Sequence, residues 1–140
     1  MPILVAGTVA LDSIKTPFGE RRDTLGGSAT FFSIAASFFC GVDIVAVVGS
    51  DFPRRYIKML ERHGVGTKGL SIVKGKTFRW SGYYAEDLNT AHTLSTCLNV
   101  FKDFRPVIPA RSKDPKILFL ANADPELQRD FLMQAGSPGL

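Results

Sequence analysis

The sequence predicts an α/β protein organised around a parallel sheet. Two observations carry this. Short, fully apolar runs alternate with helical stretches in the order strand, helix, strand, helix, strand, the pattern of parallel strands joined by right-handed crossovers. One stretch, residues 77–104, breaks that texture with polar–aromatic alternation rich in Thr and Asn, and reads as a separate hairpin.

Taken in order, residues 3–8 (ILVAGT) are a short apolar run ended by Gly7-Thr8, as expected of a strand buried on both faces. Residues 12–24 carry Pro17, Gly19 and several charges and read as an exposed excursion with short strands. Residues 27–39 form a helix with apolar side chains on nearly every side, so it is expected to be buried. Ser28 is its expected N-cap, Gly41 its stop, and Phe31, Phe32, Phe38 and Phe39 are expected in the core. Residues 43–48 (DIVAVV) are a second buried strand. Ser50 or Asp51 then caps a helix over 53–63, with Tyr56, Ile57 and Leu60 on one stripe and Arg54, Arg55, Lys58, Glu61 and Arg62 facing water.

Gly64-Val65-Gly66 stops that helix, and residues 70–73 are a third short strand. In the hairpin, Glu86-Asp87-Leu88-Asn89 is the expected tip, and the polar face suits a cover over a cleft. The hairpin and the 12–24 excursion both lie outside the parallel layer and are candidates to pair with each other. Residues 116–121 (KILFLA) return to a buried strand, and Asp124 caps a last helix from Pro125 to about residue 134.

Composition narrows the partners. The 140 residues, 45% hydrophobic and 21% charged, fit one soluble domain with its own core. The formal charge of +4 is spread along the chain, with only the pairs Arg21-Arg22 and Arg54-Arg55, and lacks the basic stripe of a nucleic-acid binder. No nucleic-acid partner is expected; anionic small molecules fit the balance equally well. Cys40 and Cys97 make neither a CxxC pair nor a zinc spacing, so no metal or disulfide is expected. Cys40 should be a small buried hydrophobe, and the setting a reducing cytoplasm. The N-terminus lacks the basic start of a secretory signal. The apolar stretch 31–48 is broken by Gly41 and Asp43, so no membrane partner is expected either.

Several of these pieces recur together: Gly7 and then Asp12 after the first strand, Gly26-Gly27-Ser28-Ala29 turning into a helix, Val48-Gly49-Ser50-Asp51 turning into another, and Gly64-Val65 before a short strand and hairpin. The set resembles the N-terminal half of the ribokinase-like, or PfkB, carbohydrate kinase family, over essentially the whole chain. The resemblance implies a three-layer α/β sandwich with a mostly parallel sheet and a small β-sheet lid. Residues 1–140 would be the N-terminal portion of the kinase domain, with lid pieces at about 13–22 and 76–101. It also implies transfer of the γ-phosphate of ATP, with Mg2+, to a hydroxymethyl group of a sugar or nucleoside. Lid pairing in a homodimer is a further implication.

On this resemblance Asp12 corresponds to the acid that binds substrate hydroxyls, and Gly26 and Gly27 let the main chain approach the sugar. The chemistry agrees: a carboxylate accepts two hydroxyl hydrogen bonds from a vicinal diol, and glycine removes the Cβ between backbone and ligand. Helix N-terminal amides add donors, and ligands bind where parallel strands end. Thr30, Arg79, Asn89, His92 and Asn122 are further candidates for the cleft, beside Thr90, Thr93 and Asn99 of the hairpin, about half of which must face away. Plain structural roles are open to the same positions: Asp12 as a loop residue, the glycine pair as a turn, His92 as a structural histidine, Trp80 and Tyr84 as lid packing.

The sequence departs from the family pattern at two asparagines that bind polyols, replaced by Ala10 and Phe31, which moves the expectation from ribose towards a nucleoside or a differently held sugar. The Asp-Thr-x-Gly-Ala-Gly-Asp run that carries the family's catalytic aspartate and ATP-binding turn does not occur in these 140 residues. The chain is therefore expected to be a truncated half, inactive alone and holding no ATP or Mg2+ by itself. The alternative is a non-catalytic sugar- or nucleoside-binding or regulatory module. A different nucleotide-binding α/β domain is disfavoured because neither G-x-G-x-x-G nor a P-loop follows the first strand.

Overall fold

The computed structural model describes residues 2–136. Two four-stranded sheets organise it. The first is wholly parallel and contains β1 (Ile3–Ala6), β4 (Val42–Gly49), β5 (Val65–Val73) and β8 (Leu118–Leu120) in the order β5-β4-β1-β8. The second contains β2 (Ala10–Thr16), β3 (Gly19–Gly26), β6 (Arg79–Tyr84) and β7 (Ala91–Cys97) in the order β3-β2-β6-β7. There β2–β3 and β6–β7 are antiparallel hairpins, joined by a parallel β2–β6 pairing. The 12–24 excursion and the later hairpin thus pair as expected, although the excursion is two full strands rather than an exposed loop with short ones.

The central strands β1 and β4 of the parallel sheet are buried on both faces by alternation. Val5, Ile44, Ala46 and Val48 point towards α1 (Ser28–Ser37) and α2 (Arg54–Arg62), where they pack with Ala29, Ala36 and Leu60. Leu4, Ala6, Val45 and Val47 point the other way, against Phe104, Ile108 and the Leu127 and Phe131 face of α3 (Pro125–Gln134). The result is helix, sheet, helix: three layers, as the apolar runs in β1 and β4 require.

Several local expectations are corrected. The strand expected at 70–73 begins at Val65, and the one expected at 116–121 shortens to β8, a half-buried edge of its sheet. Ser28 is not the N-cap of α1; Gly27 holds that position, at φ 97°. Neither Ser50 nor Asp51 caps α2, which starts after Pro53 with no side-chain cap; Asp51 is engaged elsewhere, as described below. Asp124 does cap α3, accepting from the Glu126 N–H at 2.9 Å.

Helix α1 is the largest correction. It is not buried all round: the small residues Ala29, Thr30, Ser33 and Ala36 take the sheet-facing positions and draw the helix close. That leaves no space beneath it for phenyl rings. Phe31, Phe38 and Phe39 are 62%, 73% and 90% exposed, while Phe32 alone of the four stacks inward on Phe119. Cys40, beyond the helix, is exposed rather than buried, as is Cys97. Among the described residues no helix is long and apolar enough to cross a membrane.

Candidate functional site

The two sheets meet where β1 ends. The chain leaves β1 through Gly7-Thr8, and two residues later enters β2, so the first residues of β2 lie directly over the carboxyl edge of the parallel sheet. Strand β3 returns antiparallel to β2, pairing Ala10 with Gly26 and Asp12 with Thr24. At its end Gly26 and Gly27 turn into α1. This route brings Asp12, the glycine pair and the start of α1 together by topology alone.

Each glycine is required. The Asp12 carboxylate lies directly against the Gly26 α-carbon, and a Cβ there would overlap the carboxyl carbon and both of its oxygens. Gly27 takes a left-handed φ with its α-carbon against the Thr8 carbonyl, where any side chain would collide with backbone. Thr8 then ties the turn: its carbonyl accepts from the Ala29 N–H at 3.1 Å and its hydroxyl from the Ser28 N–H at 3.2 Å. The Ser28 hydroxyl in turn meets Thr8 Oγ1 at 3.1 Å and accepts from the Asn122 N–H at 3.0 Å. The amides of Ser28 and Ala29, expected to be offered to a ligand, are thus satisfied within the protein. What they do is fix the ends of β1, β8 and α1 to one another.

A cavity of about 240 Å3 opens above this knot, lined by Thr8, Ala10, Asp12, Gly27, Ser28, Phe31, Phe78, Trp80 and Asn122. It adjoins a larger one of about 650 Å3 that shares Thr8, Phe78 and Asn122. Burial raises the Asp12 carboxyl above its ordinary value, against the weaker opposing pull of the Gly27 N–H. Among the described residues no other ionisable side chain lines the smaller cavity.

Of the residues singled out in the sequence, Asp12, Gly26, Gly27 and Asn122 therefore converge. The other four do not. Thr30 is fully buried and donates to the Gly26 carbonyl at 2.8 Å, so it supports the turn from below. Register decides the hairpin residues, because paired residues share a face. Trp80 pairs with Asp12 and with Thr96, so these three lie on the cleft face, joined by Thr93 through its pairing with Gly82. Arg79 and His92 lie on the opposite face. His92 stacks on its partner Tyr83, with ring centroids 4.6 Å apart. Asn89 sits at the exposed hairpin tip, its N–H donating to Asp87 at 3.3 Å.

Arg79 serves as a link between the sheets. Its Nη1 donates to Asp51 Oδ2 at 2.7 Å, just after β4, and its Nε to Asp23 Oδ1 at 3.1 Å on β3. Asp23 reaches it because a bulge opposite Ser13 holds that residue at φ 49°. Asp51 also accepts from the Thr77 hydroxyl and N–H, and Asn99 donates to the Thr77 carbonyl at 2.9 Å. Burial works against the Asp51 charge, but the bonds from Arg79 and Thr77 outweigh it and hold its carboxyl below the ordinary value.

Three aromatic residues of the cleft were not placed there from sequence: Phe31, assigned to the core, Phe78, given no role, and Trp80, read as open to lid packing. Period-two spacing from the cleft-facing Phe78 would have put Trp80 on the cleft side; nothing local marks Phe31.

The comparisons agree with this architecture. No protein-family model matches the chain. It is similar to a cytidine kinase of Thermococcus kodakarensis, 26% identical over 134 residues, which cover 94% of this chain and 47% of that one. Among solved structures it resembles the ribokinase of Cryptococcus neoformans in complex with ADP, with TM-score 0.78 and 24% identity over 97% of this chain and 47% of that one. It also resembles the Methanocaldococcus jannaschii nucleoside kinase, an archaeal member of the ribokinase family, with TM-score 0.71 and 17% identity over 100% of this chain and 51% of that one. The likeness is one of fold: the chain has a ribokinase-like α/β fold. The likeness to the ribokinase/PfkB kinases read from its residues holds, and the chain spans about half the length of those relatives.

Proposed function

We propose that this chain is the acceptor-binding half of an ATP-dependent PfkB-type kinase that phosphorylates a hydroxymethyl group of a sugar or nucleoside. The observation that supports it most is the Asp12 carboxylate, held against Gly26 in a cleft at the carboxyl ends of β1 and β8 and overhung by the second sheet. In this reading that sheet, from the pieces near 13–22 and 76–101, is the lid. Asp12 accepts hydrogen bonds from two hydroxyls of the acceptor and fixes the hydroxymethyl group. Asn122 contributes its side-chain amide from the opposite wall.

Phosphoryl transfer depends on positioning and on charge stabilisation at the γ-phosphate. ATP and Mg2+ supply the phosphoryl group and neutralise its charge. The general base and anion-binding turn belong to the Asp-Thr-x-Gly-Ala-Gly-Asp run of the complete enzyme, so this chain by itself binds acceptor without transferring phosphate. A cytoplasmic setting suits its two unpaired, exposed cysteines. Pairing of two copies through their lids belongs to the same proposal.

The test is to complement the chain with a segment carrying that run and assay ATP turnover against a panel of sugars and nucleosides. Turnover of at least one acceptor, lost in Asp12→Ala, is expected. Binding without turnover would instead identify a non-catalytic module. No turnover of any acceptor, with binding unchanged in Asp12→Ala, overturns the kinase reading.

A further inference from the structure

We infer that the Asp12 cleft selects a nucleoside, with Trp80 and Phe31 forming the surfaces that take its base. This rests on the reading of the cleft as an acceptor site and goes beyond it by naming the acceptor class and the residues that choose it.

The polar inventory of the cleft comes first. Thr8 and Ser28 bond to each other and to backbone amides, so their hydroxyls are engaged. Within the smaller cavity the Asp12 carboxylate and the Asn122 side-chain amide remain to meet a ligand. A carboxylate and an amide can satisfy a ribose diol. A hexose, with a hydroxyl on nearly every carbon, would have to find its further partners outside this cavity, at Thr96 and the charged residues of the larger one.

The rest of the lining is apolar and largely aromatic: Ala10, Phe31, Phe78 and Trp80. Trp80 is set as a platform. Its indole lies over Gly82, where the absence of a Cβ makes the berth for the ring, and its Nε1–H donates to Thr93 Oγ1 at 3.1 Å. With its polar edge satisfied and its six-membered ring against Gly82, the indole is pinned in place, and it lines the same cavity as Asp12, its strand partner. Phe31 rises from the first turn of α1 into the same cavity and remains 62% exposed, unlike Phe32 one residue on, which is stacked away on Phe119. An exposed phenyl ring and a pinned indole around one carboxylate match a ligand with a diol at one end and a flat π-system at the other. Stacking of a base on an aromatic side chain is tolerant of base identity, so the inference extends to purine and pyrimidine nucleosides alike.

Trp80 is the chain's single tryptophan, which makes the experiment direct. The 140-residue chain is titrated with cytidine, inosine, ribose and fructose, followed by tryptophan fluorescence and, in parallel, by calorimetry. Both nucleosides should change Trp80 emission and bind at least about tenfold more tightly than either sugar. Phe31→Leu, which keeps an apolar side chain but removes the ring, should cost about tenfold in nucleoside affinity and leave ribose binding unchanged; Trp80→Leu, read by calorimetry, should do the same. Thermal melting of each variant separates loss of fold from loss of stacking. The inference is overturned if ribose or fructose binds as tightly as the nucleosides, or if folded Phe31→Leu and Trp80→Leu keep full nucleoside affinity. In those cases a loss of all binding in Asp12→Asn would leave the acceptor-site reading standing. If none of the four ligands binds, or Asp12→Asn binds as the native chain does, that reading falls and this inference with it.

Discussion

The two sheets are held by different physics. In the parallel sheet β1 and β4 are apolar on both faces, and their side chains are almost completely removed from water. In the second sheet β3 and β7 are exposed along much of their length; the start of β2 (Ala10, Leu11) shares the core, and beyond it β6 is fastened to the first sheet by hydrogen bonds and ion pairs around Asp51, Thr77 and Arg79. Burial is non-directional and cooperative, so the first sheet should behave as one unit with the helices. Polar fastenings are directional, weaker and separable. A rigid floor under a cover that can loosen without unfolding the floor is the arrangement a closing cleft needs.

This contrast can be broken at the floor first. Ile44 is completely buried between β4 and the α1–α2 layer. Ile44→Ala should cost about 2–5 kcal/mol, seen as a large fall in Tm with hydrogen exchange rising in both sheets together. Protection retained in β6 and β7 while β1 and β4 are lost would reverse the proposed hierarchy.

The junction is next. In Gly26→Ala the new methyl displaces the Asp12 carboxylate, and affinity for the acceptor should fall about ten- to hundredfold, the value of one or two hydrogen bonds to a charged group. The melting temperature should move far less than in Ile44→Ala. In the native chain, acceptor affinity should fall as the pH is lowered, beginning above pH 3.8, because burial raises the Asp12 pKa and the protonated acid accepts fewer hydrogen bonds. Calorimetric titration across the acid range checks this.

The cover has its own lever. Arg79→Ala removes the link from β6 to Asp51 and Asp23; about 1 kcal/mol of stability should be lost for these partly exposed pairs, with faster hydrogen exchange confined to β6 and β7. The ion pair also has a pH signature. The folded-state pKa of Asp51 is below its ordinary 3.8, so its contribution is fully present above that value and is lost as pH falls through the lower, folded one. Melting curves at successively lower pH should therefore show a steeper acid loss in the native chain than in Arg79→Ala.

The smallest effect belongs to the outer face of α1. Phe39 is 90% exposed, so Phe39→Ser should change stability by no more than about 0.5 kcal/mol. A larger loss in thermal melting would show that this ring is packed after all.

What the sequence determined by itself was whatever depends on chain-local pattern. Apolar runs at 3–6 and 44–48 specify strands buried on both faces, because only such strands can use side chains that are apolar at every position. The Asp124-Pro125 pair specifies a helix start, and Gly26-Gly27 specifies a turn into α1 that only residues without a Cβ can make against Asp12 and Thr8. Tertiary structure decided what depends on which neighbour arrives. Phe31 is apolar wherever it lies, and only the fit of Ala29, Thr30, Ser33 and Ala36 against the sheet sends it outward to the cleft. Arg79 and Trp80 are adjacent in sequence, yet the β2–β6 register puts one in an ion pair and the other beside Asp12. Sequence records the chemistry of a side chain, whereas its direction is set by packing and strand register, which form only when distant segments meet.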